Sequence, residues 1–309
     1  MTCLSIGYAA FSTGINLTAK GNISTTPSSC FTISDNGDDT GTITDYDADA
    51  CGTKVKIPSK INNLIITKIG GAVLNDTTNT YFKSFARKKI KTVIFPDTIE
   101  EIGLAAFDQN QISKLVLPDS IKKIGNVAFR HNNISELTMP NHYVEMGISV
   151  FNDNKMPDEK AFIYKQNTDG SYDKTTITSY AGIRTENITI PSTVKTLDAW
   201  SFRALSSTNF NEIIIPDNVT IIKYEAIQWD RYLKNVVIGN GVKTIEYYAL
   251  AYNYILETVS IGSGIETMST TTFANCPELK TITINRKEDA VAGAPWGATN
   301  ATVNWTGTN

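Results

Sequence analysis
IKTVIFPDTIEEIGLAAFDQNQ at residues 90–111 is followed by ISKLVLPDSIKKIGNVAFRHNN at 112–133 and ISELTMPNHYVEMGISVFNDNK at 134–155. Pro96, Pro118 and Pro140 are in step across these three stretches, as are Gly103, Gly125 and Gly147, and Phe107, Phe129 and Phe151. The period is 22 residues. A fixed repeat of this length marks a solenoid, in which each unit stacks only on its neighbours.

With the proline as position zero, the residues three and one before it are apolar: Val93 and Phe95, Leu115 and Leu117, Leu137 and Met139. Apolar residues spaced by two share one side of a strand, so a short strand with one buried face ends at each proline. The proline closes it because it cannot donate to a ladder. Positions three, six and eleven after it are apolar again, as Ile99, Ile102 and Phe107, then Ile121, Ile124 and Phe129. The unit reads as strand, turn, second short extended segment and a return loop that carries the phenylalanine inward. One unit alone buries too few apolar side chains to offset the ordering of its backbone, and stacking supplies the rest. Asn110, Asn132 and Asn154 follow each phenylalanine by three. An inward amide at one position of every coil can bond the turn backbone of two coils, and a solvated turn asparagine satisfies the same pattern.

Outward from this core, VKIPSKINNLIITKIGGAV at 55–73 is a first repeat with extra residues around Asn62-Asn63, read as a turn between two short strands. Residues 74–89 are polar and end in Arg87, Lys88 and Lys89, read as a solvated edge. Residues 158–186 break the period, and AFIYKQNTDGSYDKTTITSYAG reads as a hairpin with Asp169-Gly170 at its tip, an insertion expected to project where partners are met. Repeats resume as NITIPSTVKTLDAWSF, EIIIPDNVTIIKYEAI, NVVIGNGVKTIEYYAL and TVSIGSGIETMSTTTF, with Gly239 and Gly262 in place of proline. Position eleven runs Phe202, Ile227, Leu250 and Phe273, and Trp296 takes it in a last unit. The expected organisation is a β segment with an acidic loop at 1–51, a solenoid at 52–297 interrupted at 158–186, and a polar tail at 298–309.

The chain has 309 residues, 41% of them hydrophobic, and 28 Lys+Arg against 31 Asp+Glu for a formal charge of -3. That balance argues against nucleic acid as a partner. Residues 1–11 are apolar but too short to span a bilayer, and residues 15–24 alternate as a strand does. Of four cysteines, Cys30 and Cys51 bracket an acidic stretch that lacks lysine. A bridge between them would close a loop of roughly twenty residues and contribute about 3 kcal/mol in an oxidising compartment. Asp45, Asp47 and Asp49 alternate as calcium ligands can, without the glycine and distant glutamate of a hand-type loop, so a solvated loop is expected. The two histidines, His131 and His142, lack cysteine or paired carboxylate partners at a ligand spacing. No phosphate loop or nucleophile elbow is present, so the expectation is a non-catalytic protein with no cofactor and no metal.

The pattern I-x-I-P-x-x-V-x-x-I-G-x-x-A-F, with N or C and then L-x-x-I as in FANCPELKTI at 273–282, resembles the leucine-rich repeats of bacterial BspA-like surface proteins over about residues 52–297. The resemblance implies a right-handed solenoid of short strands and a role in adhesion or protein binding at the cell surface, and it carries no catalytic residue over. The chain shows no recognisable export signal or wall anchor. Trp229, Tyr232, Tyr247, Tyr248, Tyr252 and Tyr254 fall outside the core positions. They are the candidate contact surface, since aromatic side chains are enriched where one protein grips another; packing between successive turns is the competing account. Ile94, Val116, Ile214 and Val237, two before position zero, are expected to face outward. An architectural spacer without a specific ligand is the alternative function.

Overall fold
A computed structural model describes residues 25–75, 80–182, 188–205 and 211–307. The strand expected at 15–24, Cys3 and the last residues of the 158–186 insertion lie outside them. Every coil of the solenoid has three sides, and two of them carry ladders of parallel strands. The first ladder holds the strands that end at position zero, such as Thr92–Ile94, Lys114–Val116 and Glu136–Thr138, then Glu212–Ile215, Asn235–Ile238, Thr258–Ile261 and Thr281–Ile284. The second holds two-residue strands such as Glu101–Ile102, Lys123–Ile124 and Glu145–Met146, which pair residue for equivalent residue. Between the ladders the chain turns at position zero, where the carbonyls of Pro96 and Pro118 accept from the amides of Ile99 and Ile121.

The third side is the return arm, and it carries the aromatic column. Phe107, Phe129 and Phe151 are buried and stacked, with centroids 5.3 and 5.8 Å apart. Phe85 extends the column at 4.7 Å from Phe107, and Tyr46 continues it at 5.1 Å from Phe85. The segment read as a polar edge therefore contains a core residue. Its basic cluster is also not simply solvated: three residues past Phe85, Lys88 takes the place asparagine holds in later coils and bonds Asp45 and the Tyr46 carbonyl. The glycine seven residues past the proline is set by how closely successive coils approach. A Cβ on Gly103 would lie 2.3 Å from the Gly71 amide nitrogen.

The asparagines form a buried ladder. Asn132 Nδ2 donates to Phe129 O of its own coil at 3.1 Å and to Phe107 O of the preceding one at 2.9 Å, while Oδ1 accepts from Ile112 N at 3.1 Å. Asn110, Asn154 and Asn253 repeat the bonds to both carbonyls. The polar groups of a buried turn are thereby satisfied in each of these four coils.

Both ends are closed by the ladders themselves. Phe31–Asp35 and Thr40–Tyr46 form an antiparallel hairpin whose second strand pairs in parallel with Leu64–Ile69, so among the described residues Thr40–Tyr46 is the first parallel rung of the second ladder. Cys30 and Cys51 are joined by a disulfide at its base. Lys60–Ile61 and Leu64–Ile69 pair through Asn62 and Asn63, both with positive φ as a two-residue hairpin turn requires. At the other end Thr302–Trp305 pairs with Thr281–Ile284. The stretch read as a polar tail thus adds a rung, with Trp305 packed edge-on against Trp296 at 6.0 Å.

The insertion departs most from its reading. Phe162–Gln166 pairs antiparallel with Tyr172–Tyr180, and within the latter Thr176 and Ile177 pair in parallel with Thr196 and Leu197. Its base is therefore a rung of the second ladder, with Ile177, Tyr180 and Ala181 in the core and Tyr180 stacked on Phe202 at 5.4 Å. Towards its tip the hairpin still packs on the preceding coil, where Gln166 donates to His142 O and accepts from Val144 N and Gly170 lies against the His142–Tyr143 backbone, so that residues 167–169 are left exposed at the turn.

Candidate functional site
On the return arm, the residues nine and thirteen past position zero adopt left-handed backbone in coil after coil. The second set includes His131, Asp153, Ala204, Trp229 and Tyr252, with φ from 54° to 65°. Such a conformation costs a side-chain-bearing residue about 1–2 kcal/mol. It is held by hydrogen bonds between coils, as from the amide of Ala204 to Gln228 O at 2.8 Å and of Tyr252 to Ala274 O at 2.9 Å. Side chains at equivalent positions then stand over one another, and that register assembles the candidate surface.

Trp229 and Tyr252 stack with centroids 4.8 Å apart and planes within 4°. Tyr254 meets the Trp229 ring edge-on at 5.8 Å. Tyr248 lies 6.3 Å from Tyr252 and Tyr247 is 6.1 Å from Tyr248. The structure thus brings five of the six aromatics into one ledge. Tyr232 is half-buried and makes no ring contact with the ledge among the described residues. Tyr224, not singled out in the sequence, stacks on Tyr247 at 5.2 Å. Its shared offset of eight residues past position zero was a legible signal. The inner rings pack between turns, while Tyr247 and Tyr254 keep 50% and 43% of their surface exposed.

Beside the ledge lies a cleft of about 1020 Å³. Trp200, Arg203, Ala204 and Trp229 line one side, and Arg130, His131 and Asp153 the other. The Arg203 guanidinium sits 4.1 Å above the Trp200 ring. Behind the far wall, Asp108 is fully buried and receives Arg130 through Nε at 3.1 Å and Nη2 at 3.0 Å, while His131 lies 3.4 Å from both Asp108 and Asp153. Burial pushes the Asp108 carboxyl up, but His131 and Arg130 outweigh it and hold the group below the usual carboxylate range.

The inserted hairpin forms a second surface. In the preceding coil Leu115, Leu117 and Ile124 are buried, yet their equivalents Leu137, Met139 and Met146 are only half-buried. They open into an apolar cleft of about 280 Å³ completed by Phe162, Ile163 and Tyr164. The cause is topological: among the described strands none pairs with the outer edge of Glu136–Thr138. On the first ladder Ile94, Val116, Ile214 and Val237 face outward and are exposed.

Of the candidate calcium ligands Asp49 is exposed, while Asp45 and Asp47 have structural partners. Asp45 pairs with Lys88, and Asp47 caps the short helix Ala48–Cys51 by accepting from Ala50 N at 2.9 Å. His142 bonds Ile121 O at 2.8 Å. Cys276 occupies the asparagine position, directs Sγ to Leu250 O at 3.3 Å, and is pushed by burial up to about 11. Among the described residues no three His, Cys, Asp or Glu side chains converge as metal ligands, and no helix is long and apolar enough to cross a membrane.

Residues 78–202 and 173–292 match the pattern of the BspA-type leucine-rich repeat region, in six copies. Among solved structures, a leucine-rich repeat protein from Eubacterium ventriosum superposes with a TM-score of 0.56 at 18% identity, covering 85% of this chain and 77% of that one. A leucine-rich cell surface protein from Faecalibacterium prausnitzii gives a TM-score of 0.44 at 17% identity, covering 91% and 94%. The pneumococcal vaccine antigen PcpA gives 0.41 at 18%, covering 84% and 86%. Identities this low speak to the fold alone. No curated protein matches the sequence.

Proposed function
Because the chain belongs to the BspA-type leucine-rich repeat family, we propose that it is a non-catalytic cell-surface protein that mediates adhesion by gripping a protein partner with the return-arm face of its solenoid. The observation that carries this reading is the aromatic ledge, where rings fixed by stacking between coils leave Tyr247 and Tyr254 exposed. Rigid aromatic anchors bind at low entropic cost, as interface hot spots do. The tip of the hairpin, with Tyr172 exposed, offers a second contact. The Cys30–Cys51 disulfide supports an oxidising, extracellular setting.

An architectural spacer is the second reading. It is favoured by ion pairs that link adjacent coils along the second ladder, such as Lys123 with Glu145 at 2.8 Å and Lys243 with Glu266 at 3.1 Å. The test is a pull-down from host and bacterial surface extracts with the intact protein and with Tyr247→Ala/Tyr254→Ala, melting points being recorded for both. Loss of a partner at unchanged melting supports the ledge. Full retention removes the ledge as the site, and an intact protein that captures nothing favours the spacer.

A further inference from the structure
The aromatic stack that builds the ledge stops abruptly on its N-terminal side. Trp229 carries Tyr252 on one face. The equivalent residue in the coil on the other side is Ala204, which offers only a methyl group. Beyond Ala204 the regular backbone link between coils is replaced by a side chain: Asn152 Nδ2 reaches Trp200 O at 2.8 Å and Arg203 O at 3.3 Å. An amide side chain therefore spaces the coil of Asp153 from that of Ala204, and the space above them is the cleft of about 1020 Å³. Among the described residues no ring covers the cleft-facing side of Trp229.

We infer that this cleft, between the free face of Trp229 and the wall formed by His131 and Asp153, binds a glycan through a sugar ring that carries a carboxylate. The C–H face of a pyranose suits an indole plane, and its hydroxyls, which both donate and accept, suit planar polar side chains. His131, Asp153 and Glu225 line the cleft and supply such groups. Among the described residues the aliphatic lining is Leu74, Val127 and the Ala204 methyl, too little to seat the apolar anchors of a protein partner.

Charge selects the acidic class of sugar. The lining holds Arg130, Lys155, Arg203 and Arg231 against Asp153 and Glu225. Arg130 is committed to Asp108, and Arg203 to the Trp200 ring with Glu225 at 3.7 Å. Lys155 and Arg231 are exposed and make no side-chain hydrogen bond or ion pair among the described residues. They are cations at the rim, available to a carboxylate. Uronate and sialate share that chemistry, and the probes separate them.

The full chain is titrated calorimetrically with a hyaluronan hexasaccharide and with 3′-sialyllactose, using maltohexaose and lactose as neutral counterparts, and tryptophan emission is followed in parallel. One acidic sugar binds at least tenfold more tightly than its neutral counterpart, with affinity falling as salt is added. Ala204→Trp fills the slot with the residue its neighbouring coil carries in the same backbone conformation, and it lowers that affinity at least tenfold. Lys155→Gln/Arg231→Gln, on the exposed rim, lowers it severalfold. Tyr247→Ala, on the ledge but without ring contact to Trp229, leaves it unchanged, which separates this site from the protein-binding ledge. Absence of acidic-sugar binding, equal binding of neutral sugars, or retention of binding by folded Ala204→Trp and by the double glutamine variant each overturns the assignment. So does an Ala204→Trp variant that keeps the sugar but loses a captured surface protein.

Discussion

Asp108 has no exposed surface, and Arg130 of the next coil holds both of its carboxylate oxygens, at 3.1 and 3.0 Å. The pair ties two coils together immediately behind the cleft. Asp108→Asn should lower stability at pH 7 by about 1.5–3 kcal/mol, the range for a hydrogen-bonded charge. The carboxyl is held below its ordinary range, so its contribution is present above the unfolded value of about 3.9 and is lost as pH falls through the folded one. Urea unfolding at stepped pH should show the gap between wild type and variant closing only below about pH 4. A gap already closed at pH 5 would contradict the depressed value.

Phe129 has no exposed surface and lies between Phe107 and Phe151 in one stack. Phe129→Ala should cost about 3–5 kcal/mol, and Phe129→Leu clearly less, since Leu250 fills the same site in a later coil. Denaturant unfolding of both variants checks the order, and an alanine no worse than a surface substitution would remove the stacked-column account.

Asn132→Ala should cost about 1–3 kcal/mol by leaving Ile112 N without its partner and Phe107 O with Asn110 alone. Hydrogen exchange at Ile112 should quicken while exchange in Thr258–Ile261 stays unchanged, because each coil couples chiefly to its neighbours. Uniform quickening along the chain would argue for global cooperativity instead.

Native Cys276 should resist iodoacetamide at pH 8. Its thiol is buried and raised to about 11, so little thiolate is present and less is accessible. Labelling should appear only in denaturant, as read by intact mass; rapid native labelling would place the residue at the surface.

Reduction of Cys30–Cys51 should remove roughly 3 kcal/mol through loop entropy, with the loss concentrated in the first rungs. Exchange in Thr40–Tyr46 should rise after reduction, and an unchanged profile there would mean that the ladder alone holds the N-terminal hairpin.

By itself the sequence determined the solenoid, the strands ending at position zero and the burial of Phe107, Phe129 and Phe151, because a period repeated coil after coil leaves one consistent inward set. The asparagine amide was legible as a pattern, but its burial was not, since a turn asparagine looks the same from either side until the neighbouring coil supplies the carbonyls. Phe85 escaped because its unit lacks the surrounding repeat letters, and Lys88 because a lysine at the asparagine position gives no hint that Asp45 awaits it from the preceding coil. All six aromatics were legible as surplus to the core; the assembly of five into a ledge depended on left-handed backbone at Trp229 and Tyr252, which only contacts between coils sustain. The tertiary structure alone decided that the hairpin enters the second ladder through Thr176 and Ile177 while, among the described residues, the first ladder receives no matching strand. That mismatch opens the apolar cleft beside Met139, and the Asn152 spacer beside it opens the polar one beside Trp229. Both are consequences of how two ladders share one insertion, a relation between residues far apart in the chain that local periodicity does not encode.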